Sequence, residues 1–467
     1  MAEVYRKERI IEFFNRSGIL VTPEALELIL EKNLGQMINS MITGEVMNSG
    51  YLTESQVLSI LRDSSETRSP TVEIDFSSLK VNSSVDDFRR YFSDRYERIK
   101  RMILLSSRMR GTLSIGKVKR MGGKVRIVGM VSESSVTSNG HRRLVVEDLE
   151  DSIQVILMKN KPVSSEIILL DEVVGLVGSV SFGKGDPVMF ADEIVRPDIP
   201  NRVAQLEGGD PVFVGSISDI HVGSKTFRKD DFRRLISWLK GGSEEAKALK
   251  YLILSGDVVD GIGVYPSQED DLEILNPAEQ YAKLSEYVSQ IPEEIKVFIM
   301  PGNHDSVRLA EPQPSLSPAL SREFPGNVTL IPNPYTLKLE KRNVLVYHGM
   351  SLNDMVELIP GMNYSTIGEA IKELLIRRHL APKYGGKTPL IPSPRDYHVI
   401  EDVPDIFITG HVHSHALGEY KSVRYVNSST WQSQTEYQRM MNFSPDPSIM
   451  TLFDLRSRNV IKKDFKS

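Results

Sequence analysis

Five apolar runs from about residue 210 onward each end in residues that can hold a metal ion. The stretch "SISDIHVGS" supplies Asp219 and His221, and "LSGDVVDG" supplies Asp257 and Asp260. "MPGNHDS" adds Asn303, His304 and Asp305, and "VYHGM" adds His348. "ITGHVHSHA" adds His411 and His413, with His415 two residues further on. The donors are carboxylates, imidazoles and one amide. The chain has no cysteine, so thiolate ligation and thiol catalysis are excluded. Such a set suits Mn2+, Fe or Zn2+ better than Ca2+. Even seven of these candidate ligands exceed what one tetrahedral site needs. They are the right number for two metals that share a carboxylate, about 3.5–4 Å apart. A single D-x-H or a lone histidine recurs by chance. The weight lies in the order, because every piece follows a β-rich run.

Those runs must bring the ligands together. "GDPVFVGSISD", "KYLILSGD", "KVFIMPGN", "NVLVYHG" and "PDIFITGH" read as buried strands, and "KTFRKDDFRRLISWLKGG" and "IGEAIKELLIRRHL" as helices. Their alternation predicts a layered α/β or α+β domain over residues 206–467. Ligands carried at the carboxyl ends of several strands converge, because those ends lie along one sheet edge. Asp219 with His221, and His411 with His413, are spaced i, i+2 and point the same way if the strand continues through them. The glycines before Asp257, Asn303 and His411 suit tight turns off the strands.

The chain has 467 residues, enough for about three domains. Residues 1–61 read as a small helical module, with Thr22 as N-cap before Pro23 and a capping box of Thr53 with Gln56. This module is a folding unit or a docking domain, and the two are compatible. Residues 62–84 are rich in Ser, Thr, Asp and Glu and read as a linker. The segment 85–205 opens with a basic helix and continues as five or so short β runs. These predict a small barrel, an OB-fold. On the helix, Phe88, Phe92, Tyr96 and Ile99 share one face. Arg89, Arg90, Arg95, Arg98, Lys100 and Arg101 make a solvated face or contacts to a DNA backbone. Few aromatics lie in the barrel strands, which favours a structural role for them over base stacking. A net charge of −5 gives no global positive field. No apolar run reaches about 18 residues, so no membrane span is expected. The charged first residues lack a signal-peptide core, so a cytoplasmic location is expected.

The series D-x-H, G-D-x-x-D, G-N-H-D, a late H-G and G-H-x-H resembles that of the calcineurin-like metallophosphoesterases, over roughly residues 210–430. The resemblance implies a β-sandwich flanked by helices, with a two-metal site at the strand ends. It puts Asp219, His221 and His413 on one metal, Asn303, His348 and His411 on the other, and Asp257 between them. His304 falls beside the leaving group, and Asp260 orients it. Two cations lower the pKa of a bridging water and neutralise phosphate charge, and His304 protonates the departing oxygen. Mn2+ is the expected ion, with Fe or Zn2+ open. His415 lies outside G-H-x-H and reads as a solvent-facing or supporting residue.

The order of the whole chain resembles the small subunits of the archaeal family D DNA polymerases. The local stretches "RYERIKRMILL", "GSISDIHVGSK" and "HGMSLNDM" agree. This implies a heterodimer with a large catalytic polymerase subunit. It also implies a 3′–5′ exonuclease acting on single-stranded or mismatched 3′ ends of DNA. The alternatives are a catalytically silent scaffold, like the related eukaryotic B-subunits, and a stand-alone metallophosphoesterase. Every ligand position here holds a competent residue, which favours an active nuclease.

Overall fold

The structure is a computed structural model that describes residues 2–16, 19–31, 46, 51–57, 76–79, 83–183, 185–201, 208–440 and 443–467. They fall into two compact units, Met1–Thr71 and Val72–Ser467. Most of the stretch 62–84, read as a linker, lies outside the described residues. Among the described residues no helix is long and apolar enough to cross a membrane.

In the first unit the helices Ala2–Arg16 and Pro23–Glu31 enclose Phe14, Ile19, Ala25 and Ile29. The Thr22 hydroxyl accepts the Ala25 N–H at 3.3 Å, capping the second helix as expected. The Thr53–Gln56 box also forms, the Gln56 side chain accepting the Thr53 N–H at 2.9 Å. Two short strands, β1 (Leu20–Val21) and β2 (Tyr51–Leu52), pair in parallel.

The second unit begins with the helix Val85–Leu104. Its start is set by a capping box of Ser84 with Asp87, a pattern the sequence carries at the usual spacing. Five strands follow: β3 (Gly123–Val136), β4 (Arg142–Glu147), β5 (Ser152–Leu157), β6 (Val173–Ser181) and β7 (Val188–Val195). They close into a barrel in the order β3-β4-β5-β7-β6. Ile127, Leu144, Val155 and Leu176 fill it. Tyr96, Ile99 and Ile103 of the helix pack on its outside, against Val128, Met130 and Val173.

The rest is two sheets with helices outside them. One sheet holds β8 (Phe213–Ile217), β9 (Leu249–Ser255), β10 (Lys296–Met300), β11 (Val328–Leu330), β17 (Ile449–Asp454) and β18 (Val460–Asp464), in the order β11-β10-β9-β8-β17-β18. The other holds β12 (Tyr335–Leu339), β13 (Arg342–Val346), β14 (Ile406–Thr409), β15 (Ala416–Tyr420) and β16 (Val423–Asn427), in the order β12-β13-β14-β16-β15. The period-two alternation of strands divides their side chains. Val214, Ile253, Phe298, Val344, Val346, Ile406 and Ile408 meet in one core shared by both sheets. Their neighbours Leu252, Leu254, Val297 and Ile299 pack under the helices Lys229–Lys240 and Pro277–Val288. Leu345 and Phe407 pack under Ser351–Leu358 and Ile367–Arg377. Strands covered on both faces need continuous apolar sequence, the pattern these runs show.

Candidate metal centre

Strands β8, β9 and β10 run parallel, as do β13 and β14. Their carboxyl ends deliver Asp219, His221, Asp257, Asn303, His348, His411 and His413 to one end of the sandwich. Asp219, His221, Asp257, His348 and His413 are buried, whereas Asn303, His304 and His411 are half-buried. The paired ligands do not sit on continued strands, as their spacing had suggested. β8 ends at Ile217 and β14 at Thr409, and the backbone then turns left-handed. Asp219, His221, Asp257, His411 and His413 have φ of 53°, 54°, 49°, 72° and 53°. Each such residue costs about 1 kcal/mol or more, and strain of this kind persists where the surroundings fix it, at functional sites. Two glycines are spatial requirements: a Cβ on Gly256 would lie 2.2 Å from His348 Nδ1, and one on Gly302 2.2 Å from Asp257 Oδ1.

Three donor groups converge among the described residues; one is His221 with Asp260 and His304, and the other two are built from the residues expected to ligate. In the first of these two, Asp219, His221 and His413 converge. His221 Nε2 and His413 Nε2 are 3.1 Å apart. His413 Nε2 is 3.3 Å from Asp219 Oδ1. That oxygen is buried and has no hydrogen-bond partner among the described residues. In the second set, Asp257, His348 and His411 converge, and Asn303 joins them with its Oδ1 3.1 Å from His348 Nε2. His348 Nε2 is 3.3 Å from Asp257 Oδ2.

The electrostatics resemble a cation site balanced by protons. Burial works against the charge on Asp257, yet His348 and His304 beside it hold its carboxyl well below the usual range. Burial likewise opposes the charge on Asp219, but His413 and His348 lower it. On His348 burial is overcome by Asp257 and Asp219, which push its pKa up to about 10. Burial and the charge of His348 bring His411 down to about 3, so that ring is neutral and able to ligate. Nitrogen and oxygen donors that crowd one another, one carboxylate oxygen left unpaired, and no sulfur fit divalent Mn, Fe or Zn.

Outer partners orient these rings. His221 Nδ1 donates to Asp260 Oδ1 at 2.7 Å. Gln432 and Gln268 hold that carboxylate in turn, at 3.2 and 3.3 Å. His348 Nδ1 donates to the Ser255 carbonyl at 2.9 Å. Gln438 Nε2 lies 2.9 Å from His413 Nδ1, and Asn353 Nδ2 lies 2.8 Å from His411 Nε2. None of these amide residues was singled out from the sequence. Asn353 stood within "HGMSLNDM", and a polar residue two or three positions into the helix after a ligand loop is the signal available. Asp305 is a clamp, not a ligand. Its carboxylate accepts the Gly302 N–H at 2.8 Å and the Tyr281 hydroxyl at 2.9 Å. Burial and the charge of Asp257 raise its pKa to about 7.

His304 stands beside the first set, its ring centre 4.7 Å from that of His221. Its partner at Asp260 is the main chain and not the expected carboxylate: His304 Nδ1 donates to the Asp260 carbonyl at 2.8 Å. The carboxylate serves His221 instead, because that ring lies closer to it. Burial opposes a charge on His304, but Asp257 and Asp260 outweigh it and raise the pKa. His415 is outside both sets, with Nε2 2.9 Å from Thr451 Oγ1.

The basic helix divides. Arg95 and Arg98 are 1% and 6% exposed and cannot contact DNA. Arg95 donates to Asp396 Oδ2 at 2.7 Å and to the Pro382 carbonyl at 2.8 Å. Arg98 pairs with Asp94 and Glu401. A guanidinium can be buried only where carboxylates and carbonyls meet it. Arg89, Arg90 and Arg101 are exposed, with Arg90 paired to Asp87, and Lys100 is half-buried over the Tyr96 ring.

Residues 214–417 match the family of DNA polymerase alpha/epsilon B subunits. The DNA polymerase II small subunit of Thermoplasma acidophilum is 58% identical over 98% of this chain and 92% of its own length. That of Archaeoglobus fulgidus is 38% identical over 93% of both chains. The one from Methanothermobacter thermautotrophicus is 34% identical over 93% of this chain and 95% of its own. With identity at this level across nearly the full length of these three relatives, the chain belongs to the family of archaeal DNA polymerase II small subunits.

Proposed function

We propose that this chain, paired with a large catalytic polymerase subunit, is a metal-dependent 3′–5′ exonuclease that removes nucleotides from single-stranded or mismatched DNA ends. The observation that carries this reading is the pairing of two donor sets, Asp219–His221–His413 and Asp257–His348–His411, at one end of the sandwich. A silent scaffold has no use for strained, crowded and mutually charged ligands. On this reading the barrel is an OB-fold and the sandwich a calcineurin-like phosphoesterase. Asp219, His221 and His413 would hold one divalent ion, Asn303, His348 and His411 would hold a second, and Asp257 would serve both. Mn2+ is the favoured ion.

Bound divalent cations neutralise phosphate charge and lower the pKa of a water. The protein supplies the rest. His304 has its Nδ1–H fixed on the Asp260 carbonyl, which leaves Nε2 to face the substrate. Its raised pKa keeps a proton there for the departing sugar oxygen. Asp257 accepts the His304 backbone N–H at 2.8 Å, which ties the proton donor to a ligand loop.

The test is release of mononucleotides from mismatched primers in Mn2+, by wild type and by Asp257→Ala, with and without the large subunit. Equal release by both proteins, or none by wild type in either setting, overturns the proposal.

A further inference from the structure

One aromatic pair stands outside the donor sets but hangs from both. Tyr364 is 36% exposed and its ring centre lies 5.3 Å from that of Phe443, edge to face. The Tyr364 hydroxyl donates to Asn353 Oδ1 at 3.0 Å, and Asn353 Nδ2 lies 2.8 Å from His411 Nε2. The Phe443 N–H donates to the Gln438 carbonyl at 2.9 Å, and the Gln438 side chain lies 2.9 Å from His413 Nδ1. The Gln434 side chain holds the Phe443 carbonyl at 2.7 Å. Tyr364 sits in a turn that Asn363 caps with its side chain. Each ring is therefore one residue away from a histidine of the G-H-x-H stretch, and each is fixed from behind.

We propose that Tyr364 and Phe443 form a stacking seat for the base of the nucleotide at the end of a single strand. This rests on the nuclease reading above. A phosphate drawn to the ligands leaves its own base several ångströms away, where it needs an apolar face and not a charge. The rings offer that face. Lys387, a cation close enough to feel the Tyr364 hydroxyl, is already paired with Glu357 at 2.8 Å. Stacking on an aromatic ring tolerates every base, which suits an enzyme that must remove whichever nucleotide is mispaired.

The test uses the full chain in EDTA, so that binding is read without turnover. The probe is a single-stranded oligonucleotide with 2-aminopurine at its 3′ end, compared with one whose 3′ residue is abasic. Wild type is expected to quench the fluorescence and to bind the abasic end about tenfold more weakly. Phe443→Ala and Tyr364→Ala lose both effects, and Phe443→Trp and Tyr364→Phe, which keep a ring, retain them. Alanine variants that quench and discriminate like wild type overturn the seat, as does a wild type that does neither. Variants that lose only association with the large subunit make the pair a protein contact, which also overturns it. Adding Mn2+ to the same wild-type mixture reads the nuclease separately. Quenching without degradation sinks the nuclease reading alone, and degradation without quenching sinks the seat alone.

Discussion

His221 and His413 face each other with Nε2 atoms 3.1 Å apart, while Asp260 and Gln438 occupy the other nitrogen of each ring. One proton or one cation can lie between them. The carboxylate of Asp260 decides which nitrogen of His221 is free, because it demands the Nδ1 proton. Asp260→Asn should therefore weaken Mn2+ binding about 10- to 100-fold without removing a ligand. Titration calorimetry of the full chain checks this. An unchanged affinity shows that His221 keeps its tautomer without the carboxylate.

Proton competition should make metal binding depend on pH. His348 carries a proton up to about pH 10 while Asp257 and Asp219 are its counter-charges, and that proton must leave before Nε2 can ligate. Mn2+ affinity should rise with pH between about 6 and 8, by roughly tenfold per unit for each proton displaced. Dissociation constants measured at three pH values give the slope. A flat profile means that His348 binds no ion.

His304 and His415 lie close to the ligands in sequence, but only one of them faces the site. His304→Ala should lower exonuclease turnover by about 10²- to 10⁴-fold while Mn2+ content stays at the wild-type level. His415→Ala should cost less than about threefold, because it loses only a bond to Thr451. Elemental analysis beside the rate assay distinguishes a lost proton donor from a lost metal. A His304→Ala protein that turns over normally removes His304 from the chemistry.

The donors that converge in the structure were legible because metal chemistry restricts residue type and the strands repeat the same placement. The apolar runs of β8, β9, β10, β13 and β14 announced two covered faces and a common end. Backbone geometry was not legible: nothing in D-x-H says that both residues turn left-handed. Nor were the amides at Gln432, Gln438 and Asn353, since Gln and Asn are ordinary surface residues until the fold turns them toward the donor sets. The basic helix misled in part. A run of arginines looks the same whether it meets solvent or a distant carboxylate, and Asp396 lies 301 residues from Arg95 in the chain.

That buried pair carries a stability prediction. Arg95 donates to Asp396 Oδ2 and to the Pro382 carbonyl, and Tyr91 lies 3.0 Å from it. Removing one partner strands the other without water, at a cost of about 3–5 kcal/mol. Arg95→Ala should lower the Tm by roughly 5–10 °C, whereas Arg89→Ala, at an exposed position, should change it by about a degree. Thermal unfolding of the full chain reads both. Equal shifts show that the pair adds nothing beyond a surface contact.

The same cluster should place the stability maximum near pH 6.5. His379 and His398 stack beside Asp396, with ring centres 6.2 Å apart. Burial, with the charge of Arg95, holds His379 down at about 3. Burial also opposes a charge on His398, but Asp396 and Glu311 push it up to about 9. An unfolded histidine titrates near 6.5. Between about pH 6.5 and 3 the unfolded chain takes up a proton that folded His379 refuses, so stability falls as pH falls. From about pH 6.5 to 9 folded His398 keeps a proton that the unfolded chain releases, so its contribution, full below 6.5, is lost as pH rises. The two windows do not overlap, and both slopes lead away from 6.5. In Tm measured against pH, His398→Gln should flatten the alkaline limb and leave the acid limb in place. An alkaline limb as steep as in wild type would show that His398 is neutral in the folded chain.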